Sequence, residues 1–158
     1  MSWSSRLLLP LLLALAACGF QPVYAPGGSG TRLQNQVLVS EPDDQRSYLV
    51  TRRIEERLGR AATPAYALDL VVSTREDGLA VDREGNTTRF NLLGRADYTL
   101  TEVATGRVVT SGFVDNFTGY SATGTTVATL ASERDALIRL MTILADEIVQ
   151  RLLVSDLS

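Results

Sequence analysis

Apolar and polar positions change their period several times along the chain, and each change marks a structural element. Val37, Leu38 and Val39 form a short apolar run between polar residues, which predicts a first strand from about Leu33 to Ser40. Ser40-Glu41-Pro42-Asp43 follows as a helix-start signature: a capping hydroxyl, a proline in the first turn and a carboxylate three residues on. The helix it opens is expected to reach about Leu58, with Val50, Ile54 and Leu58 as its buried stripe and Gly59 as its stop. Tyr66 to Val72 has strand character, and Leu79-Ala80-Val81 resumes the same strand past a bulge at Asp77-Gly78. Glu84-Gly85-Asn86 is a turn. From Phe90 to Leu100 the alternation is clear: Phe90, Leu92, Gly94, Ala96, Tyr98 and Leu100 share one face, while Asn91, Arg95, Asp97 and Thr99 lie on the other. Ala104 to Arg107 turns the chain into a further strand, Val108 to about Thr118, which completes an antiparallel meander. After the polar linker Ser121 to Thr126, Leu130, Leu137, Met141, Leu144, Ile148 and Leu152 recur at helical spacing. They predict an amphipathic helix from about Thr126 to Leu153, roughly 40 Å long at 1.5 Å per residue. Its exposed side is supported by two four-residue ion pairs, Asp135 with Arg139 and Glu147 with Arg151.

The order strand, helix, strand, strand, strand, helix specifies an α+β two-layer sandwich. Two helices cover one face of a four-stranded, mostly antiparallel mixed sheet, in which the first strand-helix-strand crossover makes one pairing parallel. The uncovered sheet face reads as polar without heavy charge, so it is available to a second partner.

The N-terminus follows a different logic. One arginine, Arg6, precedes the apolar run Leu7 to Leu15, which is interrupted only by Pro10 and followed by Ala16 and Ala17. This is the layout of a secretory signal peptide, and at about half of the roughly 20 residues needed it is too short to cross a bilayer as a permanent helix. Leu15-Ala16-Ala17-Cys18-Gly19 resembles a bacterial lipobox, in which the cysteine sulfur takes a diacylglyceryl group, the leader is cut just before it, and the new amino terminus is acylated, as with palmitate. Triacylation holds a protein firmly in its membrane, because each buried CH₂ contributes about 0.8 kcal/mol and one chain alone binds reversibly. Gly19, rather than aspartate, after the cysteine favours sorting to the outer membrane. The expected organisation is a signal peptide at 1–17, a lipidated flexible tether at 18–31 rich in proline and glycine, and a folded domain at 32–154.

Composition narrows the chemistry. Among 158 residues there is no histidine and a single cysteine, Cys18, and all 15 positive charges are arginines. Ser-His-Asp and Cys-His nucleophilic catalysis, histidine or thiolate metal sites, disulfides and lysine Schiff bases are therefore excluded. The net charge of −3, with no long basic cluster, argues against nucleic-acid binding. Neither enzymatic activity nor a cofactor nor a metal is expected. The carboxylate pairs Asp43-Asp44 and Asp146-Glu147 are explained by capping and solvation, and the arginine line Arg46, Arg53, Arg57 and Arg60 by a solvated helix face. Asn86-Thr87-Thr88 spells a glycosylation sequon without force in a bacterial lipoprotein. Phe113, Phe117 and Tyr120 are expected in the core or against a partner.

The lipobox with Cys18-Gly19-Phe20-Gln21-Pro22-Val23-Tyr24, the order of elements, and Val127 to Ala136 opening the final helix together resemble the LptE family of lipopolysaccharide-assembly lipoproteins in its alphaproteobacterial form. The resemblance implies a lipoprotein lodged in the outer-membrane barrel LptD, where it plugs the pore, assists barrel assembly and contacts lipopolysaccharide. It also implies a basic residue in the loop between the second and third strands as a lipopolysaccharide contact, matched by Arg83 in Asp82-Arg83-Glu84-Gly85. A guanidinium fork suits the phosphates of lipid A; an exposed turn arginine serving only solvation is the alternative. A second basic position of the family falls on Leu130, and Arg134, one turn later, is the candidate substitute. Competing readings are another small outer-membrane lipoprotein, either a peptidoglycan-synthase activator or an auxiliary subunit of a lipid transporter, and a carboxylate-dependent hydrolase. The short tether speaks against a synthase activator that must reach across the periplasm.

Overall fold

The computed structural model describes residues 28–157, so Cys18, its leader and most of the tether lie outside the described residues. Seven elements follow in order: α1 (Ser29–Leu33), β1 (Val37–Val39), α2 (Gln45–Leu58), β2 (Tyr66–Val81), β3 (Thr87–Glu102), β4 (Val108–Ser121) and α3 (Thr126–Val154). The sheet order is β1-β2-β3-β4, with β1 parallel to β2 and the other pairings antiparallel. Helices α2 and α3 pack side by side on one face, which gives the expected two-layer α+β sandwich.

The alternation in β3 survives as expected: Leu92, Gly94, Ala96, Tyr98 and Leu100 are all buried beneath the helices. The bulge in β2 falls between Gly78 and Val81. Leu140, Met141, Leu144, Ile148 and Leu152 of α3 are fully buried and meet Val50, Ile54 and Leu58 of α2 in one core. At its centre α3 lies close on β3, since a Cβ placed on Gly94 would come 2.9 Å from Leu140 Cδ2 and 3.0 Å from Leu144 Cδ1. Asp146 ties the two helices together, accepting from Arg53 Nε at 3.0 Å and from Arg57 Nη1 at 2.7 Å.

Several local expectations are corrected. Ser29 to Thr31, assigned to an extended tether, belong to α1. Leu33 ends that helix as a fully buried residue instead of starting a strand. Asn35, at a φ of 57°, turns the chain and donates its N–H to Leu58 O at 2.7 Å, so β1 shrinks to three residues. The N-terminus of α2 also lies later than Ser40. Ser40 is engaged by the ladder, its hydroxyl accepting from Leu70 N at 3.3 Å, and the cap is Asp44. Asp44 accepts from Ser47 N at 2.8 Å while Ser47 Oγ accepts from Asp44 N at 3.0 Å, a reciprocal capping box. Glu147 does not pair with Arg151 but accepts from Asn116 Nδ2 of β4 at 2.8 Å. Leu130 is exposed, because α2 begins only at Gln45 and leaves the first turns of α3 uncovered.

Asp44→Ala is expected to cost about 1 kcal/mol of stability, measured by urea unfolding at pH 7. The backbone N–H of Ser47 is the main reason that the Asp44 carboxyl sits below its ordinary value of 3.8. A depressed folded-state value means that the ionised cap contributes fully at neutral pH and is lost as pH falls below 3.8 through the lowered value. The difference between wild type and Asp44→Ala should therefore shrink in acid; a difference independent of pH would refute the capping account.

Candidate functional site

The register of the strands collects three structures at one end of the sheet: the β2–β3 hairpin, the end of β4 and the start of α3. Arg89 faces Ser121 in the ladder, and Ala122 N donates to Thr88 O at 2.9 Å, so the corner leading into α3 lies beside the base of the hairpin. The hairpin tip is rigidified by its first residue. Asp82 Oδ1 accepts from Asn86 N at 2.8 Å and Glu84 N at 3.0 Å, and Oδ2 accepts from Asn86 Nδ2 at 3.2 Å. These bonds, that of Asn86 N foremost, hold the Asp82 carboxyl below the usual carboxylate range. Gly85 closes the turn at a φ of 90°, a conformation that favours glycine.

This turn answers the question raised by the sequence Asp82-Arg83-Glu84. Asp82 points its carboxylate into the backbone of the turn and does not pair with Arg83. Arg83 is exposed and makes no ion pair with another described residue. Arg134 sits on the same end of the molecule but in a separate shallow depression formed with Gln45, Leu130, Glu133 and Leu137. The two sequence-predicted arginines thus share an end of the sheet without sharing a cavity. A third arginine, Arg89, also lies here and is equally without an ion-pair partner among the described residues. Its signal was present in the alternation, since the residue before inward-facing Phe90 must face outward. Among the described residues, the nine arginines with ion pairs include all four of the Arg46, Arg53, Arg57 and Arg60 line, which is bound to Asp44, Asp146, Glu56 and Glu55. That line is structural.

Apolar surface accompanies the free cations. Leu79 and Val81 on β2 and Val127 and Leu130 on α3 are all more than half exposed. On the inner face Phe90 of β3 and Tyr120 of β4, opposite each other in the ladder, stack with centroids 5.3 Å apart. The Tyr120 hydroxyl donates to Glu76 Oε2 at 2.6 Å, and burial first, then that carboxylate, raises its pKa.

The uncovered face of the sheet carries Phe113 and Phe117, 45% and 60% exposed, so neither is a core residue. The reason is the register of β4, which turns Gly112, Val114, Asn116, Thr118 and Tyr120 inward and the positions between them out. Among the inward positions, Gly112 lies against β3, where a Cβ would come 3.0 Å from the Tyr98 hydroxyl, and Thr118 Oγ1 donates to Ala136 O of α3 at 3.0 Å. The rings are left to the outer face, where the Arg95 guanidinium stacks 3.7 Å above Phe113 and its Nη2 lies 2.7 Å from Asp97 Oδ1. That hydrogen bond keeps the Asp97 carboxyl below its ordinary value. An open groove of about 520 Å³ runs beside these groups, lined among others by Arg75, Leu93, Arg95, Asp115 and Phe117. No group of three or more described carboxylates or thiols could hold a metal ion, and no described helix is long and apolar enough to cross a membrane.

Residues 34–152, which span all four strands, α2 and nearly all of α3, match the family described as LptE: Lipopolysaccharide-assembly. The chain belongs to the LptE family. Solved structures share the LptE-like fold at low identity. A protein of Caulobacter crescentus superposes with a TM-score of 0.66 at 21% identity, covering 80% of this chain and 94% of that one. The rare lipoprotein B of Shewanella oneidensis gives 0.57 at 16% identity over 73% and 90%. A minor lipoprotein of Acinetobacter baumannii gives 0.56 at 12% over 78% and 95%. No curated protein matches the chain. Within the family frame, the hairpin end with Arg83, Arg89 and Arg134 is the candidate functional site.

Proposed function

We propose that this chain is a non-enzymatic outer-membrane lipoprotein of lipopolysaccharide assembly, anchored on the periplasmic side through Cys18, seated in an LptD-type barrel and contacting lipopolysaccharide with its hairpin end. The observation that carries this reading is the family match across residues 34–152, which covers the whole sandwich. Two features of the surface support it. Arg83 stands at a hairpin tip stiffened by Asp82 and is free to meet a phosphate through paired, charge-assisted hydrogen bonds. The outer sheet face mixes rings and ion pairs, a surface suited to the polar interior of a wide barrel.

Affinity isolation of the tagged mature chain from envelope extracts tests the partner: a large barrel protein and lipopolysaccharide should accompany it. Recovery of the chain without either would overturn the reading. For the ligand contact, Arg83→Glu is expected to weaken lipopolysaccharide binding by about tenfold or more, since a charged hydrogen-bond donor is replaced by a repelling carboxylate. Binding equal to wild type in a fluorescence titration would remove Arg83 from the site.

A further inference from the structure

Beside the hairpin, on the outer face, the strands build a polar niche that the family reading does not assign. Arg89 and Asn91 lie two residues apart on β3 and so share a face; opposite them on β4 stand Ser121 and Gly119. Directly opposed residues on a sheet lie about 5 Å apart, so the four positions form one compact patch. Gly119 supplies its floor: a Cβ there would meet Asn91 Oδ1 at 3.5 Å, which shows the amide reaching over the bare backbone. The patch opens into a cavity of about 300 Å³ that Leu79 also borders. None of the Arg89, Asn91 and Ser121 side chains hydrogen-bonds another described residue, although nearly every other arginine on this face is paired. The carboxylate facing Asn91 across β2, Asp77, is already held by Arg75 at 3.0 Å and does not compete for Arg89.

A guanidinium, a carboxamide and a hydroxyl converging on one small concavity are donors for a phosphate monoester, and exposed Leu79, which lines the same cavity, offers an apolar rim. We propose that Arg89, Asn91 and Ser121 form a phosphate-binding subsite for the phosphorylated glucosamine head group of lipopolysaccharide, separate from the Arg83 contact. The proposal rests on the reading that this end of the molecule meets lipopolysaccharide.

The test titrates the mature chain with diphosphorylated and with dephosphorylated lipid A in detergent micelles, comparing wild type, Arg89→Gln and Asn91→Ala. Arg32→Gln, at an exposed arginine on α1 without an ion pair to another described residue, is the control. Arg89→Gln is expected to weaken binding of the diphosphorylated lipid by about tenfold, Asn91→Ala by less, and neither should change binding of the dephosphorylated lipid or the melting temperature. Arg32→Gln should behave as wild type. Undiminished binding of the diphosphorylated lipid by Arg89→Gln overturns the subsite while leaving the family reading intact; a wild-type chain that binds neither lipid overturns that reading itself. Competition separates the sources of phosphate. Displacement by glucosamine 1-phosphate but not by inorganic phosphate supports the head group, and equal displacement by inorganic phosphate overturns the lipid assignment.

Discussion

Truncating Leu144 to alanine is expected to lower the free energy of unfolding by about 3 kcal/mol and the melting temperature by roughly 10 °C. Leu144 is fully buried at the centre of α3, between β3 and the packed face of α2, so its loss leaves a cavity that neither layer closes. The neighbouring glycine makes the expectation sharper. Gly94 sits under Leu140 and Leu144 with no room for a Cβ, so Gly94→Ala alone should cost about 1–2 kcal/mol through overpacking. Combined with Leu144→Ala, the added methyl fills part of the vacated volume, and the double variant should be less destabilised than the sum of the two single changes. Urea unfolding of the four proteins measures this directly. Strict additivity would mean that α3 does not lie as close on β3 as the structure places it.

The second large effect concerns the membrane. Cys18→Ala is expected to abolish acylation and leave the chain either with its uncut leader or free of the outer membrane, because the proposed anchor is the lipid carried by the Cys18 sulfur and amino terminus. Cell fractionation with metabolic labelling by a fatty acid reads both consequences. Normal outer-membrane recovery of an unlabelled Cys18→Ala protein would refute lipid anchoring at this residue. The loss should be close to complete, in contrast to the graded effect of Arg83→Glu, since the triacyl anchor proposed at Cys18 would contribute far more than the one phosphate contact proposed at Arg83.

Part of the candidate site was legible from residue types alone. Asp82, Gly85 and Asn86 spell a turn whose side chains satisfy their own backbone, and Arg83 within it could face only solvent. Arg89 was equally readable from the alternation, but its importance was not, because which arginines on this face pair with a carboxylate is decided only in space. The carboxylate pairs show the same limit. Asp146 looked like a solvated residue on an exposed helix side and is instead the clasp between α2 and α3, bound by two arginines about ninety residues away in sequence.

Periodicity is a local property, and whatever depends on it was determined by the sequence by itself: the inward face of β3, the stripe of α3, the bulge in β2 and the order of elements that forces one parallel pairing. Only the tertiary structure decided where those elements stop and which surface remains open. Leu33 became a core residue because a turn at Asn35 folds α1 back on the domain, and Leu130 became exposed because α2 begins too late to cover it. Phe113 and Phe117 fell outside because the register of β4 turns Val114 and Thr118 inward and the odd-numbered positions out. Each outcome turns on the distance between segments far apart in the chain, and packing at close contact resolves what a hydrophobic pattern leaves degenerate.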